Sequence, residues 1–522
     1  MKEFEQSPAA RVFYYFEQLC AIPHGSGNTK AISDFCVEFA WDHLLEYRQD
    51  ALNNVIIIRE ASPGYEREDP FIIQGHLDMV CEKETWRGID FETEGLDLFV
   101  DGDFLAARGT TLGADDGIAV ACALALLEKE DLRAPRIEAV FTADEETGMD
   151  GVKGIDVSML KGRRMLNLDS EEEGIFLCGC AGGLRADVIF DLQRIPKEGR
   201  PFLITIDGLT GGHSGTEIGK GHANAIQLLG RMLRDLRNKF EFDVITVFGG
   251  SKDNAIPREA GALILLPQAD TESPDGPAFF LEGYESEEEK LQTSLRGELL
   301  ILQNRFLCEY QTADPGITIS IELAKVQDPR FRDLIRNGPG MPGAFVFPED
   351  TAKRFEEFLC MMPNDVQRMS ADIPGLVETS LNAGILTASG GESGRITVTF
   401  SLRSSVTAQK TALAGRLAAI ARACGGVCRE QNSYPAWEYR KTSPLREQMI
   451  RIYEQLFHET PAVEIIHAGL ECGLFQEKIE GLDCVSFGPQ INDIHTPKER
   501  LCISSTERLW EFLLTLLSEK GD

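Results

Sequence analysis

Acidic and histidine side chains follow apolar segments at several well-separated places in this chain. They are His76 and Asp78 after FIIQG, Asp115 and Asp116 before GIAVACALALL, Glu145 and Glu146 after IEAVFTA, Asp169 after RMLNL, and His495 in GPQINDIHTP. Imidazole nitrogens and carboxylate oxygens together form a ligand set that suits zinc, manganese or cobalt better than metals bound by thiolates. The chemistry that these residue types could perform is therefore metal-assisted hydrolysis, provided that the fold brings them together.

The apolar segments themselves are predicted to form a parallel sheet. Runs dominated by β-branched residues at Asn54–Arg59 and Phe71–Gly75 predict strands, and the apolar runs at Arg136–Thr142 and Arg164–Leu168 predict two more. The Ala/Leu-rich run after Asp116 predicts a buried helix. Strands that alternate with helices favour a largely parallel sheet with helices on both faces. The carboxyl ends of such strands share one edge, where ligands bind, so the polar side chains could converge in one crevice.

Each of these polar pairs also has an ordinary structural interpretation. Two aspartates before a helix are commonly an N-cap and its neighbour, and Glu145 with Glu146 could form a solvated turn. Their shared placement at strand ends favours the functional interpretation. Several carboxylates in one crevice would repel one another and become protonated unless a cation joined them. So many acids favour two metal ions about 3.5–4 Å apart over a single one.

Composition indicates an acidic globular protein with more than one domain. The chain has 522 residues and a net charge of −32, which disfavours binding to nucleic acid. The first twenty residues are acidic, and no stretch reaches the roughly 18 apolar residues that span a bilayer, so we expect neither a signal peptide nor a membrane segment. The odd number of cysteines, 13, favours reduced thiols and a cytoplasmic location.

The order of predicted elements suggests one domain interrupted by another. Residues 1–183 and 435–522 have α/β character, whereas residues 184–434 have the pattern of an inserted α+β domain. Within the first part, a second helix is predicted from Thr29 to about Tyr47. The acidic, turn-rich stretch 268–298 is expected at the surface and is assigned no function.

Several motifs, in this order along nearly the whole chain, resemble the M20 family of dinuclear metallopeptidases. They are GHLDMV at 75–80, GADDGIA at 113–119, TADEETG at 142–148, NLDSE at 167–171 and GGHSG at 211–215. The segments IHAGLECGLF at 466–475 and SFGPQINDIHTPKERL at 486–501 resemble those of one subgroup, the aminoacyl-histidine dipeptidases. The resemblance implies a catalytic α/β domain with a mostly parallel central sheet, interrupted by an inserted α+β lid domain.

The resemblance also implies a set of metal ligands. His76 would bind one metal ion and His495 the other, Asp115 would bridge both, and Glu146 and Asp169 would each complete one set. Two divalent ions are expected, with zinc as the first choice and manganese or cobalt as alternatives.

Three further residues receive catalytic roles from the resemblance. Glu145 would be the general base, which takes a proton from the water held between the metal ions, and Asp78 would orient His76. In the inserted domain, His213 would reach the active site and stabilise the tetrahedral oxyanion, which requires the lid to close.

Three residues are predicted to contact substrate. Asn254 and Arg403 match lid positions of the family that resemble contacts to a substrate carboxylate, and the planar guanidinium of arginine binds such a group with two hydrogen bonds. Glu471 is predicted, from its charge and its place in GLECG, to accept the free amino group of a substrate.

The function predicted from these residues is hydrolysis of unblocked dipeptides, preferentially Xaa-His and including beta-alanyl-His. Two alternatives stay open: an aminoacylase or carboxypeptidase on the same metal site, because a fold does not determine its substrate, and a metal-bound scaffold without catalysis. The expected partners are small dipeptides. A homodimer stays open, and so does the alternative that the two halves of the long inserted domain mimic such a dimer within one chain.

Overall fold

The computed structural model describes residues 2–267, 287–324, 328, 331–337 and 342–520. The chain divides into two compact units. We call Met1–Cys180 with Trp437–Asp522 the discontinuous unit, and Ala181–Ala436 the inserted unit. The predicted acidic stretch 268–298 falls in the inserted unit, and its residues 268–286 lie outside the described part of the chain.

The first segment of the discontinuous unit begins with a 3-10 helix, Lys2–Phe4, and then alternates helices and strands. Its elements are α1 (Ala10–Cys20), α2 (Lys30–Asp42), β1 (Glu46–Gln49), β2 (Val55–Arg59), β3 (Phe71–His76), β4 (Leu98–Asp101), β5 (Phe104–Ala107), α3 (Ala114–Glu128), β6 (Ile137–Thr142), α4 (Asp150–Gly154), β7 (Arg164–Asn167) and β8 (Ile175–Cys180). The predicted helix from Thr29 to about Tyr47 is wrong only after Asp42, where α2 ends. The chain turns at Leu44, which has a positive φ of 54°, and then forms β1, which pairs with β2.

The inserted unit consists mainly of strands. Its elements are β9 (Gly182–Gln193), β10 (Ile195–Glu198), β11 (Arg200–Asp207), β12 (Gly212–His213), a 3-10 helix (Ile218–Lys220), α5 (Ala225–Arg237), β13 (Asp243–Gly249), β14 (Ala255–Ile256), β15 (Ala260–Leu266), α6 (Glu287–Tyr310), β16 (Thr318–Leu323), β17 (Ile335–Asn337), β18 (Pro342–Val346), α7 (Glu349–Met361), β19 (Asp365–Met369), β20 (Val377–Gly390), β21 (Ser393–Ser404), α8 (Thr407–Ala423) and β22 (Val427–Tyr434). Helix α5 begins at an asparagine cap, because the Asn224 side chain accepts hydrogen bonds from the backbone N–H groups of Ile226 and Gln227.

The last segment completes the discontinuous unit. Its elements are α9 (Pro444–Phe457), β23 (Ala462–Ile466), α10 (Cys472–Lys478), β24 (Asp483–Ser486), β25 (Ile491–Asn492), β26 (Arg500–Cys502) and α11 (Ile503–Ser518). The start of α9 combines a serine cap, Ser443, with proline at the first helical position, which is a favourable combination for a helix start.

The main sheet of the discontinuous unit runs in the order β1-β2-β6-β3-β7-β24-β8-β23. Its centre is parallel, since β3 pairs in parallel with both β6 and β7, and β7 pairs in parallel with β24. The registers align His76 with Thr142, Gln74 with Asn167, and Asn167 with Ser486, so these strands end at one level. The predicted α/β class with a mostly parallel central sheet is confirmed.

Helix α3 packs against the end of β3 and is buried almost throughout, as its Ala/Leu-rich sequence predicts. The close approach depends on Gly75, because a Cβ atom there would lie 2.5 Å from the Ala119 Cβ and 2.6 Å from an Asp116 oxygen. This contact holds the start of α3 beside the carboxyl end of β3.

The inserted unit has its own sheet and its own core. The sheet is antiparallel and runs β16-β11-β15-β13-β20-β21-β9-β22, with β19 pairing with β20. Side chains of α5, α6, α7 and α8 contribute to a hydrophobic cluster with this sheet. All 13 cysteines are free thiols, and among the described residues no helix has the length and apolarity to cross a bilayer.

Candidate active site

The carboxyl ends of the central parallel strands bring the predicted metal ligands together. His76 is the last residue of β3, Glu146 follows β6, and Asp169 follows β7, whereas His495 lies beyond β24 in the loop between β25 and β26. The fifth, Asp115, belongs to the first turn of α3, where Asp115 and Asp116 depart from helical dihedral angles and are joined by a cis peptide bond.

Asp115 lies between the two histidines. Its Oδ1 is 3.1 Å from His76 Nε2, and its Oδ2 is 3.1 Å from His495 Nε2. On the His76 side, Asp169 Oδ1 is 3.8 Å from the same Nε2 atom. On the His495 side, Glu146 Oε1 is 2.8 Å from Nε2. The arrangement places a histidine and a terminal carboxylate on each side of one shared carboxylate.

The potential ligand atoms form overlapping groups within the described part of the chain. The atoms of each group lie within 4.8 Å of one another, and the groups are His76 with Asp116 and Asp169, His76 with Glu145 and Glu146, and Asp115 with Glu146 and His495. Asp116 is an addition to the predicted set. It is buried, and its Oδ2 accepts a hydrogen bond from the backbone N–H of His76.

Asp78 holds both His76 and the segment that carries the glutamates. Its backbone oxygen lies 3.0 Å from His76 Nδ1, and its Oδ1 lies 3.6 Å from the same atom, which fixes Nε2 as the nitrogen that faces Asp115. The Asp78 carboxylate also accepts hydrogen bonds from the backbone N–H groups of Glu145 and Glu146 and from the Ser26 hydroxyl. Burial acts to raise the pKa of Asp78, but its bonds to His76 and these donors lower it on balance.

The crowded carboxylates of this cluster would be stabilised by added positive charge. Burial raises the pKa of Glu145 to about 8, with neighbouring carboxylates adding to the effect. Burial and the nearby Asp116 raise the pKa of Asp169 well above its ordinary range. Hydrogen bonds to Asp115 and Glu146 raise the pKa of His495 to about 10, which shows how strongly these carboxylates favour a positive charge beside them. Nitrogen and oxygen donors at these distances fit divalent metal ions, which would compensate the same charges.

Glu471 lies beneath this cluster, fully buried at 0% exposure. Its Oε2 accepts hydrogen bonds of 2.6 Å from Gln74 Nε2 and from the Thr142 hydroxyl, and Asn167 Nδ2 donates to Gln74 Oε1. Its other oxygen, Oε1, has no hydrogen-bond partner among the described residues. The side chain links the ends of β3 and β6, and a substrate ammonium group would reach it only after the covering residues move. The predicted amine contact stays a prediction.

The inserted unit brings its own three predicted residues into one neighbourhood. His213 is in β12, which pairs with β14, and Asn254 immediately precedes β14. The Asn254 carbonyl accepts a hydrogen bond from the backbone N–H of Ser214. Arg403 lies near the end of β21, and its charge helps to lower the pKa of His213. The buried Nε of Arg403 has no hydrogen-bond partner among the described residues.

The His213 ring has a defined tautomer. Its Nδ1 accepts from the backbone N–H groups of Gly215 and Thr216, at 3.3 and 3.2 Å. Because a backbone N–H can only donate, Nδ1 carries the lone pair and the neutral ring carries its proton on Nε2. Burial and then Arg403 lower the pKa of His213, although Glu217 acts against them, so the ring favours this neutral form.

Comparison with known proteins identifies the family. The model of peptidase family M20/M25/M40 matches residues 72–519. The chain is 33% identical to the cytosol non-specific dipeptidase of Escherichia coli over 521 residues, which cover 99% of both chains.

Solved structures agree with this result. An aminoacylhistidine dipeptidase from Vibrio alginolyticus is 32% identical, with complete coverage of both chains and a TM-score of 0.84. A tripeptidase from Staphylococcus aureus, 13% identical with 98% of each chain covered and a TM-score of 0.55, shares the fold. The chain therefore belongs to peptidase family M20/M25/M40, whose members hydrolyse peptide bonds.

Proposed function

We propose that this chain is a dinuclear metal-dependent dipeptidase that hydrolyses unblocked dipeptides, with Xaa-His substrates, including beta-alanyl-His, preferred. The observation that carries the proposal is the position of Asp115 between His76 and His495, each with a further carboxylate beside it. The names of the two full-length relatives support a dipeptide substrate, and the Vibrio protein supports the preference for histidine.

The proposed metal ligands divide into two sets that share Asp115. His76 and Asp169 would complete one set, and His495 and Glu146 the other. Bound divalent ions would polarise the scissile carbonyl group and lower the pKa of the attacking water. Zinc is the first choice, with manganese and cobalt as alternatives, because all three accept nitrogen and oxygen donors.

Glu145 is proposed as the general base. Burial and the neighbouring carboxylates raise its pKa, and bound cations would favour its ionised form, the form that accepts a proton. Glu145 would accept a proton from the attacking water and then deliver it to the leaving amine. The two hydrogen bonds from the Glu145–Glu146 backbone to Asp78 hold the carboxylate in place for both transfers.

The inserted unit is proposed to supply the donors that bind substrate. His213, as the neutral ring with its proton on Nε2, would donate to the oxygen that becomes negative as the carbonyl is attacked. Arg403 and Asn254 would bind the terminal carboxylate of the dipeptide, and the unpartnered Nε of Arg403 supports this role. We also propose that the discontinuous unit is the catalytic domain and that the inserted unit is its lid. The protein is further proposed to be cytoplasmic and to form a homodimer.

The test is hydrolysis of Ala-His, beta-alanyl-His and N-acetyl-Ala-His by purified protein, with a chelator and after addition of zinc, manganese or cobalt. We expect cleavage of the two unblocked dipeptides, loss of activity with the chelator, and recovery with at least one metal. Cleavage of only the acetylated compound would instead identify an aminoacylase. Activity that survives complete metal removal would contradict the proposal, as would bound metal without cleavage of any substrate.

A further inference from the structure

Glu499 makes an unusual contact with the start of helix α3. Its Oε2 accepts hydrogen bonds from the backbone N–H groups of Leu112 and Gly113, at 2.8 and 3.2 Å. Its Oε1 accepts from those of Ala114 and Asp115, at 2.8 and 3.4 Å. The side chain is 2% exposed, so one buried carboxylate binds four successive backbone groups.

This carboxylate replaces a local helix cap. The first N–H groups of a helix lack partners within the helix, and negative charge is stabilising there. Gly113, at the N-cap position, has a positive φ of 67° and provides no side-chain cap. Glu499 therefore supplies the cap from a residue nearly four hundred positions later in the chain.

The contact joins two segments that each carry a proposed metal ligand. Asp115 belongs to the turn that Glu499 binds, and His495 is four residues before Glu499 in the same loop. His495 has a positive φ of 58°, a conformation that is unfavourable for a non-glycine residue and persists only where its surroundings hold it. Glu499 anchors the end of this loop, through its own backbone bond to Thr496 and its side-chain bonds to the α3 turn.

We propose that Glu499 is a positioning residue for one of the two metal ions, the one proposed to lie among Asp115, Glu146 and His495. This inference rests on the proposed dinuclear site. Glu499 does not contact the ion itself. It sets the distance between the Asp115 and His495 segments, whose ligand atoms are 3.1 Å apart. The second ion shares Asp115, but its other proposed ligands, His76 and Asp169, lie on segments that do not include Glu499 or the turn it binds, so it should depend on Glu499 less.

Glu138 offers a matched control. It is another fully buried carboxylate, and it accepts hydrogen bonds from the backbone N–H groups of Lys161 and Gly162 and from Arg136. It is the second residue of β6, at the end of the strand away from Glu145. Glu138→Gln therefore also alters a buried carboxylate bound to backbone groups, but at a distance from the ligands.

The experiment is a titration of metal-free protein with zinc, followed by calorimetry, and with cobalt(II), followed by its visible spectrum. In Glu499→Gln we expect one of two binding steps to weaken by about 10- to 100-fold, the usual range for residues that support metal ligands, and the other to change little. Glu138→Gln should retain both affinities even if thermal unfolding shows it to be less stable. In a His495→Ala background, Glu499→Gln should weaken metal binding by less than it does in the parent protein, because one of the two segments that Glu499 positions no longer provides a ligand.

The possible results separate this inference from the proposed function. Unchanged affinities in Glu499→Gln, with a loss of stability like that of Glu138→Gln, would mean that Glu499 is only a helix cap. Equal weakening of both steps would also overturn the assignment to one ion. Failure of the parent protein to bind two ions would overturn the dinuclear site itself. If Glu499→Gln does not fold, Glu499→Asp serves instead, since it keeps the charge with a shorter reach and should weaken the same step.

Discussion

The two units present opposite chemistry. In the discontinuous unit, histidines and carboxylates crowd together, and burial raises the pKa of Glu145 and Asp169. In the inserted unit, His213 is a neutral donor with a lowered pKa, and Arg403 has an unpartnered Nε. The first region is therefore suited to bind cations, whereas the second is suited to bind a hydrogen-bond acceptor or an anion.

The two regions are also held in different ways. The proposed ligands are constrained by several strands and by buried carboxylates, such as Asp78 and Glu499, that bind backbone N–H groups. His213 is held by local hydrogen bonds. Its backbone N–H donates to Glu217, and its Nδ1 accepts from the backbone N–H groups of Gly215 and Thr216. Substitutions in the first region should therefore alter metal binding or proton transfer, and those in the second should alter binding of the substrate or of the oxyanion.

The largest expected effect comes from Glu145→Gln. The amide cannot accept the proton, so we expect kcat to fall by about 10²- to 10⁴-fold, the range typical of general acid–base groups. Two metal ions should remain bound, which elemental analysis would measure. Glu172→Gln, an exposed change in the segment after Asp169, is the control and should have near-normal activity. A Glu145→Gln protein that retained normal kcat would exclude this residue as the base.

A smaller effect is expected from Arg403→Lys. Lysine keeps the charge but loses the planar pair of donors, and hydrogen bonds to charged groups contribute about 1.5–3 kcal/mol, so kcat/KM should fall by roughly 10- to 100-fold. The affinity for metal ions should be unchanged, because Arg403 is proposed to bind the substrate and not a metal ion. This result would distinguish the inserted unit from the discontinuous unit.

Arg395→Lys provides the control for this change on the same strand. Arg395 is 57% exposed in its side chain and lies 3.6 Å from Asp191, so its replacement should leave kinetics almost unaltered. Equal losses in both variants, or a loss of metal from Arg403→Lys, would contradict the role assigned to Arg403.

Much of the site could be predicted from sequence because its residues follow apolar strands directly. FIIQG before His76 and RMLNL before Asp169 form neighbouring parallel strands, and the parallel pairing makes their ends converge. The α3 helix was equally predictable from its long Ala/Leu run. These features depend on local patterns and on one general rule of sheet geometry.

Other features depend on contacts that no local pattern encodes. Nothing around Glu499 indicates that it binds the turn at Asp115, since the two are far apart in sequence and a lone glutamate is usually solvated. The sequence also does not indicate that Glu471, whose contact with the substrate amine stays a prediction, is buried against Gln74 and Thr142. The turn at Leu44 was missed because its left-handed backbone is unusual for leucine.

The smallest effect, and the most direct test of the second region, concerns the protonation of His213. Nitrogen NMR should show an unprotonated Nδ1 and a protonated Nε2 at neutral pH, with the signal assigned by its absence in His213→Gln. The ring should titrate below about 6.5, the ordinary value for histidine. Arg403→Ala should raise this pKa, because a nearby positive charge is removed, and Glu217→Gln should lower it.

The lowered pKa also determines the sign of a stability effect. Between the pKa of folded His213 and about 6.5, the unfolded chain binds more protons than the folded protein, so this residue reduces stability as the pH falls through that range. The reduction should be smaller in Arg403→Ala. A protonated Nδ1 at neutral pH would mean that the ring does not accept the Gly215 and Thr216 bonds. His213 would then not be the neutral donor that distinguishes the inserted unit from the cation-binding region.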